Sequence, residues 1–268
     1  MILTTITPVW NRPAALPVWV KAIQAARTAR TRWTVNHMLF FVGEPAPAEL
    51  RGHPDLWIVE APGPTDVTIG HWHNVGAGMA TSEWIMKLDI DTLPNPRYFE
   101  ELLPVLASAQ PREWFNGGML YLNQKCSKLL ETKELSERSY QEVVDNPGFY
   151  SNQAYLRPAG TNFICRREAY LDLGGCDERF RGYGWEDYQQ IYALERHQLL
   201  RCPLPGPLHS VNVTWRCRDE ISRRKAGELF QRNHWLCLLH KWHSRAPRTA
   251  EGMKSNRELL LERILALK

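Results

Sequence analysis

Two aspartates close the apolar run Lys87-Leu88-Asp89-Ile90-Asp91-Thr92, two residues apart and just before Pro94. Side chains at i and i+2 of an extended chain point the same way. Carboxylates gathered at a strand end need a cation, and a hard divalent ion that bridges phosphates is the partner this chemistry suits. A solvated turn would carry the same pair, so its meaning depends on its company. A second group, Gly182-Tyr183-Gly184-Trp185-Glu186-Asp187, sets two acids at a helix start behind glycines and aromatics. The helix dipole alone favours acids there. The chemical reading makes Asp187, or else Glu186, a general base for a hydroxyl proton, with Tyr183 and Trp185 as flat faces for a sugar or base ring.

Two further segments bear on these. His209 stands in the short apolar run Pro207-Leu208-His209-Ser210-Val211-Asn212, where a structural histidine is the ordinary outcome. Thr7-Pro8-Val9-Trp10-Asn11-Arg12 offers an arginine fork after the first strand, without the glycine pattern of P-loop or dinucleotide sites. His71 and His73 are two apart on a helix and so fall on different faces, which makes them structural.

The elements that must position these residues follow from periodicity and breakers. Strands are expected at Ile2 to Thr7, Val35 to Val42, Leu56 to Glu60, Trp84 to Leu88, Phe115 to Leu122 and Asn162 to Cys165. Helices are expected after Pro13, at Trp72 to Ala80, Asn95 to Ala109, Arg167 to Leu173 and Glu186 to Glu195, with a polar helix or excursion over Ser127 to Val144. Asp145 to Pro158 reads as a loop able to cover a site, and Asp219 to His243 and Glu251 to Lys268 as two closing helices. Strands alternating with helices predict an α/β fold with a mostly parallel central sheet, whose ligands gather beyond the C-terminal strand ends.

Composition sets the frame. At 268 residues, with 44% hydrophobic and 23% charged residues, the chain is an ordinary globular protein able to bury a core. Its six cysteines contain no C-x-x-C pair and read as reduced thiols. With no leader and no apolar run of spanning length, the expected location is cytoplasmic, with no transmembrane segment. The net charge of +4 is uneven: Asn212 to Arg248 holds nine Lys or Arg against three Asp or Glu, a local +6 that leaves about −2 elsewhere.

Taken in order, these segments resemble the GT-A-fold glycosyltransferases, more narrowly the group joining family-2 enzymes to the β-1,4-galactosyltransferases and the polypeptide N-acetylgalactosaminyltransferases. Pro8-Val9-Trp10-Asn11-Arg12, Asp89-Ile90-Asp91, Gly160 to Cys165, Leu173 to Phe180 and Gly182 to Asp187 carry the likeness, over residues 2–215. The resemblance implies a GT-A domain over 1–215, with a donor half to about 110, followed by a basic helical extension over 216–268. It further implies a UDP-sugar donor held by Thr7, Pro8, Asn11, Arg12, Glu44, Asn74, Lys87 and Asp89. Manganese or magnesium would sit on Asp91 and His209, with Asp89 beside them, and Asp187 would be the base of an inverting transfer with Glu186 next to the acceptor.

Tyr183, Trp185 and Trp215 would face that acceptor. A surface glycan or glycolipid is the first candidate, with the basic end resting on anionic lipid. DNA with hydroxymethylated pyrimidines is the alternative, because Arg216, Arg218, Arg223, Arg224, Lys225 and Arg232 lie among Trp215, Phe230 and Trp235. A sugar-binding module without catalysis is a third reading.

Overall fold

The computed structural model describes residues 2–10, 12, 14–26, 34–61, 69–151, 158–180, 186–197, 200–203, 234–243 and 250–265. Strands β1 (Ile2–Val9), β2 (Thr34–Val42), β3 (Leu56–Ala61) and β4 (Trp84–Lys87) lie parallel in the order β3-β2-β1-β4. Helices α1 (Leu16–Ala25) and α2 (Ile69–Met79) lie on opposite faces of them, as a doubly wound unit requires. Alternation along the strands explains the two layers. Leu39, Phe41, Trp84 and Met86 join one core with Trp19, while Met38, Phe40 and Ile85 join the other with Trp72. Both faces are covered, so these strands are rich in apolar residues, with Thr4, Thr5, Thr7, His37 and Lys87 as buried polar exceptions. A Cβ on Gly76 would stand 2.6 Å from Ile6 Cγ2, and the missing side chain lets α2 lie close on β1.

Past β4 the sheet changes character. After β5 (Thr92–Leu93) and α3 (Tyr98–Ser108) comes β6 (Glu113–Tyr121), which reaches β4 through β7 (Pro158–Arg166), antiparallel to both. The stretch expected as a polar helix or excursion is two short helices, α4 (Gln124–Thr132) and α5 (Glu137–Val144). Asn123 caps the first by accepting from Cys126 N at 2.9 Å, and Ser136 with Ser139 forms a capping box on the second. Helices α6 (Arg167–Asp172) and α7 (Glu186–Arg196) follow, then β8 (Leu200–Pro203), parallel to the first half of β6. Cys126, Cys165, Cys176 and Cys237 are buried free thiols, as expected.

The C-terminal region departs from expectation. Cys237–His240 is not helical; it is strand β9, parallel to the second half of β6 and antiparallel to β5. The exposed edge of β6 needs a partner for its backbone groups, and Cys237, Leu238 and Leu239 are buried there. Tertiary pairing therefore overrides the helical periodicity, and part of the stretch read as an extension belongs to the central sheet. The last helix, α8 (Ala250–Leu265), packs against α7 and buries Leu260. No helix among the described residues is long and apolar enough to cross a membrane.

Candidate active site

Three elements converge on Asp91. Backbone bonds fix it from both sides: Leu88 N donates to Ile6 O at 3.2 Å, Thr92 N to Asp89 O at 3.0 Å, and Lys241 N to Asp91 O at 2.8 Å. The last bond brings in the residue after β9, so two histidines flank the carboxylate. His243 Nε2 lies 3.0 Å from Asp91 Oδ2 and His240 Nε2 lies 3.7 Å from Oδ1, while Arg12 Nε approaches Oδ2 at 3.7 Å. His240 is held by stacking on Tyr121, with centroids 4.4 Å apart. The segment carrying His243 is tied to α4 by Trp242 N donating to Ser127 Oγ at 2.7 Å and by a Lys241 to Glu131 ion pair at 2.8 Å.

Electrostatics fit this set to a cation. Burial alone would raise the Asp91 carboxyl, but His240, His243 and Arg12 outweigh it and hold it at about 2. Asp89 goes the other way: burial, then Asp91 and Asp187, push it well above the usual carboxylate range against the pull of Lys87. Burial keeps His240 neutral against Asp91, which leaves a lone pair for a metal. Asp91 Oδ1 is buried and accepts no hydrogen bond, and one ligand atom from each of Asp91, His240 and His243 fits within 4.8 Å. These residues suit a divalent ion. A cleft of about 300 Å³ reaches Asp91 and His243, lined also by Arg12, Gln124, Lys128 and Trp242.

Asp187 stands in the first turn of α7, with Lys87 Nζ donating to its Oδ1 at 2.9 Å and to Gln190 Oε1 at 3.2 Å. Burial alone would strip the ammonium proton, yet the Asp187 carboxylate reverses this and holds Lys87 above the ordinary lysine range. Glu186 is partly buried beside it.

The sequence-derived donor residues are divided by the structure. Thr7 is buried at the end of β1 with Pro8, and Arg12 lies at Asp91, while Glu44 is exposed after β2. Asn74 is engaged within the protein: its Nδ2 donates to Cys176 O and Glu178 Oε1, both at 2.9 Å, and its Oδ1 accepts from Cys176 N and Tyr170 Oη, both at 2.8 Å. It brackets the loop before α7. Lys87 faces Asp187 and is only 2% exposed. His71 pairs with Glu178 and His73 is buried, in keeping with structural roles. Asn11, Tyr183, Trp185, His209 and Trp215 lie outside the described residues. His240 and His243 had a signal in the sequence, two histidines three apart closing an apolar run, which the helical reading of that stretch concealed.

Among the solved structures that resemble the chain are two glycosyltransferases. One is the catalytic domain of Drosophila β1,4-galactosyltransferase 7 in complex with xylobiose, with a TM-score of 0.51 and 13% identity over 96% of this chain and 79% of that one. The other is a mannosyltransferase from Pyrobaculum calidifontis in complex with GDP-Man and Mn2+, with a TM-score of 0.54 and 14% identity over 97% of this chain and 61% of that one. Both likenesses concern the fold, which is GT-A. No curated protein matches the sequence. The family model for "Glycosyltransferase like family 2" matches residues 59–218, more than half of the chain, from β3 through the Asp-x-Asp segment and α7. The chain belongs to that glycosyltransferase family.

Proposed function

We propose that this protein transfers a sugar from a nucleoside-diphosphate sugar to an acceptor hydroxyl, with inversion and with a divalent cation held by Asp91, His240 and His243. The observation that carries this reading is the convergence of those three side chains beside Arg12, with Asp187 tied to the same strand end. The cation would neutralise charge on the departing diphosphate. Arg12 supplies a fixed positive fork for the same oxygens, and Asp89 faces the donor. Asp187 Oδ2 accepts the acceptor's hydroxyl proton as that oxygen bonds to the anomeric carbon. The bond from that carbon to the diphosphate oxygen breaks, and its electron pair leaves with the nucleoside diphosphate.

Two imidazoles and one carboxylate suit manganese better than magnesium, which prefers an all-oxygen shell. A glycan acceptor is favoured, in keeping with the xylobiose bound by the Drosophila relative of this fold. The arginines that suggested DNA, Arg216 to Arg232, lie outside the described residues, and nothing else favours that acceptor.

The test is binding and slow hydrolysis of a panel of nucleotide sugars with manganese, magnesium or chelator, in the natural chain and in Asp91→Asn. One donor engaged only with metal, and lost in the variant, is the expected result. Donor engagement that ignores both chelator and the variant would refute the metal-dependent reading. Asp187→Ala should abolish transfer while sparing donor binding, and full transfer by that variant would remove Asp187 as the base.

A further inference from the structure

We infer that Lys87 is the positioning residue of the base, stapling the first turn of α7 to the strand end that carries Asp89 and Asp91, and that it makes no contact with the donor. The inference rests on the reading of Asp187 as the base. Lys87 closes β4, two residues before Asp89, and by strand alternation it shares a face with Ile85, the face that α2 and α7 cover. Its side chain is 2% exposed, so it presents no surface to a nucleotide sugar. Its ammonium instead bonds Asp187 Oδ1 at 2.9 Å and Gln190 Oε1 at 3.2 Å, one turn apart on α7.

A buried lysine is costly unless it is paired, and replacing it with an apolar side chain of similar length is often harmless to stability. Its presence therefore calls for a reason other than packing. Positioning supplies one. The metal carboxylate and the base come from segments about a hundred residues apart, and Lys87 fixes their separation through a single strand end. Asp187 is 29% exposed, so with Oδ1 held by Lys87 its Oδ2 remains for a hydroxyl proton. Without Lys87 the carboxylate could rotate toward solvent, and a displacement of about 1 Å at a reacting group costs on the order of 100-fold in rate.

The experiment uses the full chain with manganese and the nucleotide sugar it turns over, measuring kcat for transfer and, by calorimetry, the donor Kd. Lys87→Met is expected to lower kcat by about 100-fold with the donor Kd unchanged, and Lys87→Arg to recover a large part of that loss. Lys87→Met/Asp187→Asn should be no slower than Asp187→Asn alone, because a residue acting only through another adds nothing once that residue is gone. A donor Kd weakened in step with kcat would make Lys87 a donor contact, and additive losses would show that it acts independently; either overturns the inference. If Lys87→Met does not fold, Gln190→Leu removes the second tie and should lower kcat at unchanged Kd, with an unchanged kcat counting against the staple. Asp187→Asn at the natural rate would instead overturn the base assignment itself, and is read separately.

Discussion

At Asp91, burial and two imidazoles act on one carboxylate in opposite senses, and the imidazoles prevail. A ligand set of this kind fixes which substitutions matter. Loss of even an outer-shell partner costs metal sites about 10–100-fold in affinity, so His240→Ala and His243→Ala should each weaken manganese binding by at least that much. Manganese titration followed by electron paramagnetic resonance measures this directly. His209→Ala is the control: it should leave manganese affinity unchanged, and a loss there with none at His243 would return the third ligand to His209. The same set predicts an order of metals, with transfer faster in manganese than in magnesium. His243→Asp, which trades a nitrogen for an oxygen, should narrow that gap, whereas an unchanged ratio would mean that His243 does not touch the ion.

Elements matter because they deliver these side chains to one place. β9 and the turn before it are held by Asn95, whose Nδ2 donates to Trp235 O at 2.6 Å and Cys237 O at 3.3 Å. Asn95→Ala should therefore loosen His240, lowering manganese affinity in a protein destabilised by about 1–3 kcal/mol, the usual cost of unsatisfied buried groups. Unaltered metal affinity at reduced stability would confine Asn95 to the fold. On the other face, Gly175 has φ +65 and a Cβ there would stand 2.2 Å from Asn74 Oδ1. Gly175→Ala should cost at least about 1–3 kcal/mol in urea unfolding by strain alone, and a neutral result would mean that the Asn74 bracket yields.

The first four strands, α2, α7 and the candidacy of Asp91 and Arg12 for one site were legible because period-2 and period-3.6 patterns are local, and because strand-end acids and arginines announce themselves. His240, His243 and the Lys87 to Asp187 tie were not. The histidine pair stands in the sequence, but its place beside Asp91 depends on which free edge of β6 is filled, and the tie depends on a contact across a hundred residues; neither pairing is written in local pattern.

At the scale of the molecule, covering the sheet on both faces buries two histidines among the described residues, His37 and His73. His37 is buried on β2, its Nδ1 is 2.8 Å from Thr5 Oγ1, and Trp19 and Phe99 pack on its ring. Burial, then His53, lowers its proton affinity to about 3, and burial, then Lys87, lowers that of His73 in the other layer. Both folded-state values lie below those of the unfolded chain, so the unfolded chain takes up protons that the native state refuses. Stability is therefore full above about pH 6.5 and declines as the pH falls below it, until the folded His37 itself titrates near 3. At pH 5 the loss from His37 alone is about 2 kcal/mol, a sizeable share of the 5–15 kcal/mol typical of a domain. His73 adds to it in the same direction. Urea unfolding at pH 7 and pH 5 measures the decline, and His37→Gln, which can keep a bond to Thr5 without titrating, should remove about 2 kcal/mol of it. A decline as steep in His37→Gln as in the natural chain would mean that His37 is protonated in the folded state, and that the layer over β2 admits more water than its packing suggests.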